Sequence, residues 1–228
     1  MELTSGITNI FWTGGMDSTF RVIQLLMSTE CILQPHYIVD GEESTGIEID
    51  TMNKIRSRIT RESPGVQSRF LPTIYFNSRA IKADEEIRLY IEELRVTQKV
   101  DVQYQLMANY CKQFGISQIE VGLTRLSAQK EDFVFFRDSP AFKYFLYPTL
   151  NFSKPDMYKI ASENGWDSWL NMTSFCRRPK VTLMPCGKCP PCIESEREEG
   201  DSELRPVSRI KAFVQIPFRN YRRMRYKD

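Results

Sequence analysis

Ile10-Phe11-Trp12-Thr13-Gly14-Gly15-Met16-Asp17-Ser18-Thr19 is the stretch on which the reading of this chain turns. A short apolar run ends in two glycines, small hydroxyl residues follow, and residues 17–27 then carry helical spacing. Glycines let a backbone turn tightly and approach a ligand closely. Ser18 and Thr19 bring hydroxyls to a helix start, where unpaired N–H groups and the helix dipole attract an anion. Asp17 suits such a cradle only if it holds a metal ion or fixes the loop. The plain alternative is a strand-to-helix turn with Ser18 as a cap. Position favours the functional reading, because in open α/β sheets ligands sit beyond the carboxyl ends of the strands. The expected occupant is the pyrophosphate part of ATP. A Walker-type loop is excluded: Gly41 and Gly46 have its glycine spacing, but Ile47 stands where lysine is required.

Outward from this loop the pattern alternates. Strands are expected over 7–12, 34–39, 70–76 and 118–121, with Pro72 near the start of the third. Between them, 48–61, 83–94 and 102–114 have helical periodicity; Ser63-Pro64-Gly65 breaks the first and Gly115 ends the last. Strands separated by helices predict an α/β fold, a Rossmann-like doubly wound parallel sheet with helices on both faces. Residues 123–144 mix charge with aromatics and are expected to border the site, and 157–164 is a short helix before Gly165. The division expected is an ATP-binding α/β domain over 1–150 and a C-terminal helical part over 151–228, with a cysteine knuckle and a basic tail.

The chain has 228 residues, 41% of them hydrophobic, and a net charge of +2, which fits a globular protein and says little about partners. No basic segment followed by an apolar one opens it, and no run approaches a membrane span, so a cytoplasmic protein with no membrane partner is expected.

Cys31 and Cys111 stand alone among apolar residues, as inert thiols do. Cys186-Gly187-Lys188-Cys189-Pro190-Pro191-Cys192, with Cys176 ten positions upstream, has the spacing of a metal knuckle. Four thiolates close a tetrahedral zinc site of the structural kind; an iron–sulfur cluster is the rival occupant. His36 is the single histidine, in a strand beside Tyr37, which leaves little room for histidine-based catalysis and gives it a structural part.

Together the loop and the knuckle resemble those of the 7-cyano-7-deazaguanine synthases, within the PP-loop ATP pyrophosphatase superfamily. The superfamily signature S-G-G-x-D-S corresponds to Thr13-Gly14-Gly15-Met16-Asp17-Ser18, with Thr13 keeping the hydroxyl of the first Ser. Phe175-Cys176 and the 186–192 run resemble the family's zinc segment. Tyr147-Pro148-Thr149-Leu150 and Lys154-Pro155-Asp156 resemble its P-L and K-x-E/D stretch, and residues 118–122 its I-x-x-G strand end.

The resemblance implies an adenine nucleotide alpha hydrolase-like fold with a C-terminal zinc-binding segment. It implies an ATP-dependent ligase that adenylates a carboxylic acid, releases pyrophosphate and passes the acyl group to ammonia or an amine, giving an amide or nitrile. Thr13, Gly14, Gly15, Asp17, Ser18 and Thr19 would hold the ATP phosphates and Mg²⁺. Trp12 and Met16 beside them and Asp40 after the second strand complete the candidate nucleotide contacts. Asp17, Ser18 and Lys154 are the candidate catalytic residues, and Cys176, Cys186, Cys189 and Cys192 the zinc ligands. Arg125, Lys130 and Arg137 are weaker candidates for holding phosphate or carboxylate.

The family's substrate-binding stretches are kept less well. Asp40-Gly41-Glu42-Glu43 keeps only the acid of one, and Phe136-Arg137-Asp138 echoes another faintly, which points to a different acid substrate. A tRNA-modifying PP-loop enzyme and a non-catalytic nucleotide-binding partner protein are the alternatives.

From Arg205 onward there are eight Lys or Arg against the single acid Asp228, interleaved with Phe213, Phe218, Tyr221 and Tyr226. The acidic run over 194–203 can neutralise this tail, so nucleic acid is the less favoured partner and a homodimer the expected assembly.

Overall fold

The computed structural model describes residues 6–98, 100–124, 138–176, 189 and 192. Cys186, Arg125, Lys130, Arg137 and the tail from Arg205 lie outside the described residues. The elements in order are β1 (Ile7–Phe11), α1 (Met16–Ser28), β2 (Ile32–Val39), α2 (Thr45–Glu62), β3 (Ile74–Asn77), α3 (Glu85–Thr97), α4 (Val102–Phe114), β4 (Ile119–Val121), β5 (Phe145–Leu146), α5 (Lys154–Glu163) and α6 (Asp167–Leu170), with single 3₁₀ turns at Pro64–Val66 and Ser78–Ala80.

Among the described residues five strands form one sheet in the order β3-β2-β1-β4-β5, and each of their pairings is parallel. Parallel neighbours need right-handed crossovers, so the direction of travel decides which face a helix covers. From β1 through β2 to β3 the chain moves one way, and α1 and α2 fall on one face. From β3 it jumps across β1 to β4, and α3 and α4 fall on the other. The strand alternation agrees. Ile10 belongs to the core with Phe20, Ile23, Met52 and Ile55, whereas its neighbour Phe11 belongs to the core with Ile91, Tyr104, Ala108 and Phe145. The reversal between β1 and β4 is where such sheets bind ligands.

Several boundaries differ from the sequence expectation for local reasons. β3 starts at Ile74 rather than Phe70: the chain first pairs with β2 through Leu33 N–H to Arg69 C=O and Leu71 N–H to Leu33 C=O, then breaks at Pro72, which has no N–H to give. β5 is two residues long and carries too little pattern to be seen in sequence. α6 was also unforeseen. It brings Trp169 and Leu170 under α1 and α2, and with α5 it completes the first core. No helix among the described residues is long and apolar enough to cross a membrane.

Candidate functional site

The site is built around the turn from β1 into α1. Trp12 N–H donates to His36 C=O at 3.0 Å, so the strand pairing holds one residue past β1. The Trp12 side chain is fully buried against Phe70, and its indole N–H donates to Thr19 Oγ1 at 2.9 Å. Both side chains are thereby committed to the core. The backbone N–H groups of both residues are taken as well, Trp12 by His36 and Thr19 by Gly15, so their part is to fix the turn from below.

Gly14 takes φ +71°, the left-handed region that favours glycine, and a Cβ there would meet Thr51 Cγ2 at 3.1 Å and Glu48 O at 3.2 Å. Gly15 is the N-cap of α1 in extended conformation and brings no side chain to cap the helix. The first intrahelical bond is Thr19 N–H to Gly15 C=O. The start of this 13-residue helix has no side-chain cap hydrogen bond, and its leading N–H groups carry about half a unit of positive charge. Thr13 Oγ1 accepts from Gly15 N–H, and Ser18 Oγ donates to Gly15 C=O, which braces the turn from within. Asp17 lies in the first turn of α1, where a carboxylate is favoured by the dipole.

The opposite wall is the end of β4. A Cβ on Gly122 would stand 2.5 Å from Ser18 N and 2.8 Å from both Asp17 C and Ser18 Cα, so the first turn of α1 is seated directly on this glycine. One turn along α1, Arg21 forks onto Glu120 of β4, Nε to Oε2 at 2.7 Å and Nη2 to Oε1 at 2.8 Å, while Nη1 donates to Gln24. A bidentate pair with little exposure on either partner fixes position and angle together. Thr149 Oγ1 accepts from Leu123 N–H and donates to Leu123 C=O, tying the chain beyond β4 to the segment after β5.

At the β2 end, Asp40 Oδ1 accepts from Glu42 N–H and Thr45 Oγ1, so this candidate shapes the entry to α2. Tyr37 OH donates to Glu48 Oε2 at 2.9 Å. Burial pushes both groups toward their neutral forms: the Glu48 carboxyl titrates above its usual range, and the Tyr37 phenol is raised by burial and by the Glu48 charge. Glu48 thus lays its backbone oxygen against Gly14 and turns its carboxyl to Tyr37, a residue that sequence reading passed over as one member of an amphipathic helix. Lys154 is the first residue of α5, behind a capping box of Ser153 and Asp156, and Phe152 stacks edge-on against Phe20 of α1 at 5.7 Å. That contact sets α5 beside α1.

His36 is structural, as its place in a strand suggested. Its Nδ1 pairs with Tyr110 OH at 2.8 Å and its Nε2 with Asn9 Oδ1 at 2.9 Å, and burial holds its pKa down at about 4.

Cys176, Cys189 and Cys192 come together: their sulfurs all lie within 4.8 Å of one another and all three residues are buried. Cys189 and Cys192 Sγ are 3.4 Å apart. Thiolates around a tetrahedral zinc at bond lengths of about 2.3 Å stand roughly 3.8 Å from each other, so the donor set and its spacing fit the ion. The chain arrives at this cluster from the loop itself. Ser174 N–H donates to Gly14 C=O at 3.0 Å, two residues before Cys176.

No protein-family model matches the chain, and no curated protein sequence matches it. Among solved structures, a 4-thiouridine synthetase in complex with RNA and with ATP bound aligns over 92% of this chain at 18% identity, with a TM-score of 0.43. The alignment covers 54% of that chain, so this chain spans about half the synthetase's length.

Proposed function

We propose that the chain is an ATP-using enzyme of the PP-loop ATP pyrophosphatase type, which splits ATP between its α and β phosphates. The observation that carries this reading is the N-terminus of α1. It is a helix start without a side-chain cap, entered through Gly14 and Gly15, at the point where the strand order reverses. The backbone N–H groups of the first turn of α1 would hold the pyrophosphate portion. Asp17 would carry the Mg²⁺ that offsets its charge, with Thr13 and Ser18 keeping the loop in shape. The Cys176, Cys189 and Cys192 cluster, with Cys186, would hold a structural zinc with no open position for catalysis.

The finer reading is a carbon–nitrogen ligase. A carboxylate oxygen of the acceptor attacks the α-phosphorus, the bond to the bridging oxygen breaks, and pyrophosphate leaves. Ammonia or an amine then attacks the acyl-adenylate carbonyl, AMP departs, and the nitrogen loses a proton. Lys154, at the start of α5 beside α1, would balance charge on the phosphates or the acid. What supports this is the match of the loop, Lys154 and the cysteine segment to the deazaguanine-forming ligases.

The test is product analysis by anion-exchange chromatography with Mg-ATP, ammonium and a panel of heteroaromatic acids that includes 7-carboxy-7-deazaguanine. AMP and pyrophosphate in equal amounts, dependent on the acid and lost in Asp17→Ala, are expected. Formation of ADP and phosphate instead would overturn the reading. AMP release that depends on RNA rather than on an acid would assign a tRNA-modifying reaction. A basic concavity of about 370 Å³ lined by Asn53, Lys54, Ser57, Arg58, Arg61 and Met172 would then be the surface to probe.

A further inference from the structure

Residues 166–176 run along α2 toward the phosphate loop. At one end Trp169 Nε1 donates to Glu62 Oε2 at 2.6 Å, at the C-terminal end of α2. Thr173 is held by its own hydroxyl and N–H, both donated to Leu170 C=O. Met172 lies against the middle of α2, in the concavity with Asn53 and Ser57. Ser174 then reaches the loop. Its N–H donates to Gly14 C=O, and its carbonyl oxygen lies 3.7 Å from where a Cβ of Gly15 would be. Two residues later Cys176 enters the thiol cluster.

We infer that this segment is a clamp, through which metal in the cysteines orders the phosphate loop and so favours ATP. Gly14 and Gly15 are the residues that lose most backbone freedom on being fixed. The Ser174 bond holds the Gly14 carbonyl from outside the turn. Its far anchor is Cys176. With the metal bound, the clamp is pinned at α6 and at the thiolates, and the loop is ordered in advance of the ligand. Without it, the cysteine end is released and the ligand must order the loop itself. The ATP half of this inference rests on the loop being the nucleotide site; the metal-to-loop half does not. By linkage the effect is mutual: whatever factor metal adds to ATP affinity, ATP adds to metal affinity, and a coupling of about tenfold lies within the usual range.

The experiment is amide hydrogen exchange, read by mass spectrometry over residues 13–19, on the zinc-loaded chain and after chelator treatment. The amides of α3 serve as the internal reference. Exchange at 13–19 is expected to speed up at least tenfold on stripping, with α3 unchanged. Ser174→Pro, which deletes the N–H, should show the same increase with zinc still bound, whereas Ser174→Ala, which keeps it, should match the wild type. If stripping also deprotects α3, the chain has unfolded and the zinc-loaded Ser174→Pro decides alone. Unchanged exchange at 13–19 in that variant overturns the clamp. In the same preparations ATP should bind about tenfold more weakly after stripping, and zinc about tenfold more tightly with ATP present. Equal ATP affinity in both forms overturns the coupling. A loop that loosens on stripping in a chain that binds no ATP in either form keeps the clamp and removes the ATP reading.

Discussion

Replacing Gly122 by alanine adds a single methyl group at a point where the chain leaving β4 meets the first turn of α1. That carbon would stand 2.5 Å from Ser18 N and 2.8 Å from Asp17 C and Ser18 Cα. Carbon contacts are comfortable at about 3.5–4.0 Å, so the helix start must retreat by roughly 1 Å. All three neighbours are backbone atoms and cannot rotate aside. The Arg21–Glu120 fork resists the retreat from one turn further along. Overpacking of this kind costs about 1–3 kcal/mol, which for a chain of this size lowers Tm by roughly 3–10 °C. The displaced atoms belong to the proposed phosphate cradle, so affinity for ATP should fall as well, by roughly five- to 150-fold if a comparable 1–3 kcal/mol is lost from binding. Gly46→Ala, in the first turn of α2 with nothing near its Cβ, is the control and should leave ATP affinity unchanged while raising stability by about 0.4–1 kcal/mol. Differential scanning calorimetry and ATP titration of the two variants measure the effect. A Gly122→Ala chain with wild-type Tm and wild-type ATP affinity would refute the seating of α1 on β4.

Arg21→Ala leaves the Glu120 carboxylate buried without its partner and should cost about 3 kcal/mol in urea unfolding; the double variant Arg21→Leu/Glu120→Leu should recover most of that loss, and an equally unstable double variant would show that the pair is not the cause. His36 takes up its proton near pH 4 in the fold but near its ordinary 6.5 once unfolded. Between those values the unfolded chain binds more protons, so stability is full above pH 6.5 and is lost toward pH 4, by up to roughly 3 kcal/mol. Denaturation across that range should flatten in His36→Gln, and an unchanged slope would remove His36 as the source. Cys192→Ser should lower bound zinc well below one per chain by atomic absorption and make Tm insensitive to chelator; a full zinc complement in the variant would exclude Cys192 as a ligand.

The parts legible in sequence were those written locally. The two glycines behind an apolar run marked the β1–α1 turn, Gly115 adopts the left-handed cap its position promised, and Ser63-Pro64-Gly65 ends α2 where expected. The alternation of strands and helices was enough for a doubly wound sheet, and the C-x-x-C spacing for a thiol cluster. What stayed hidden depends on residues far apart in the chain. Arg21 meets Glu120 across 99 positions, and Ser174 meets Gly14 across 160; neither pair leaves a local pattern. Gly122 looked like an ordinary strand end, because only the fold brings the α1 backbone against it. Trp12 and Thr19 stood as candidate nucleotide contacts by position, and only the fold shows their side chains spent on each other. Glu48 had the spacing of a solvated helix face, yet β2 brings Tyr37 over it.

The central claim is that the N-terminus of α1 binds the pyrophosphate portion of ATP. Isothermal titration of the zinc-loaded chain with Mg-ATP, repeated in the presence of inorganic pyrophosphate and with Gly14→Ala, tests it most directly. Binding at one site per chain, displaced competitively by pyrophosphate and lost when Gly14 can no longer hold its φ of +71°, is the predicted result. ATP binding that pyrophosphate leaves untouched and Gly14→Ala does not weaken would place the nucleotide elsewhere and contradict the account.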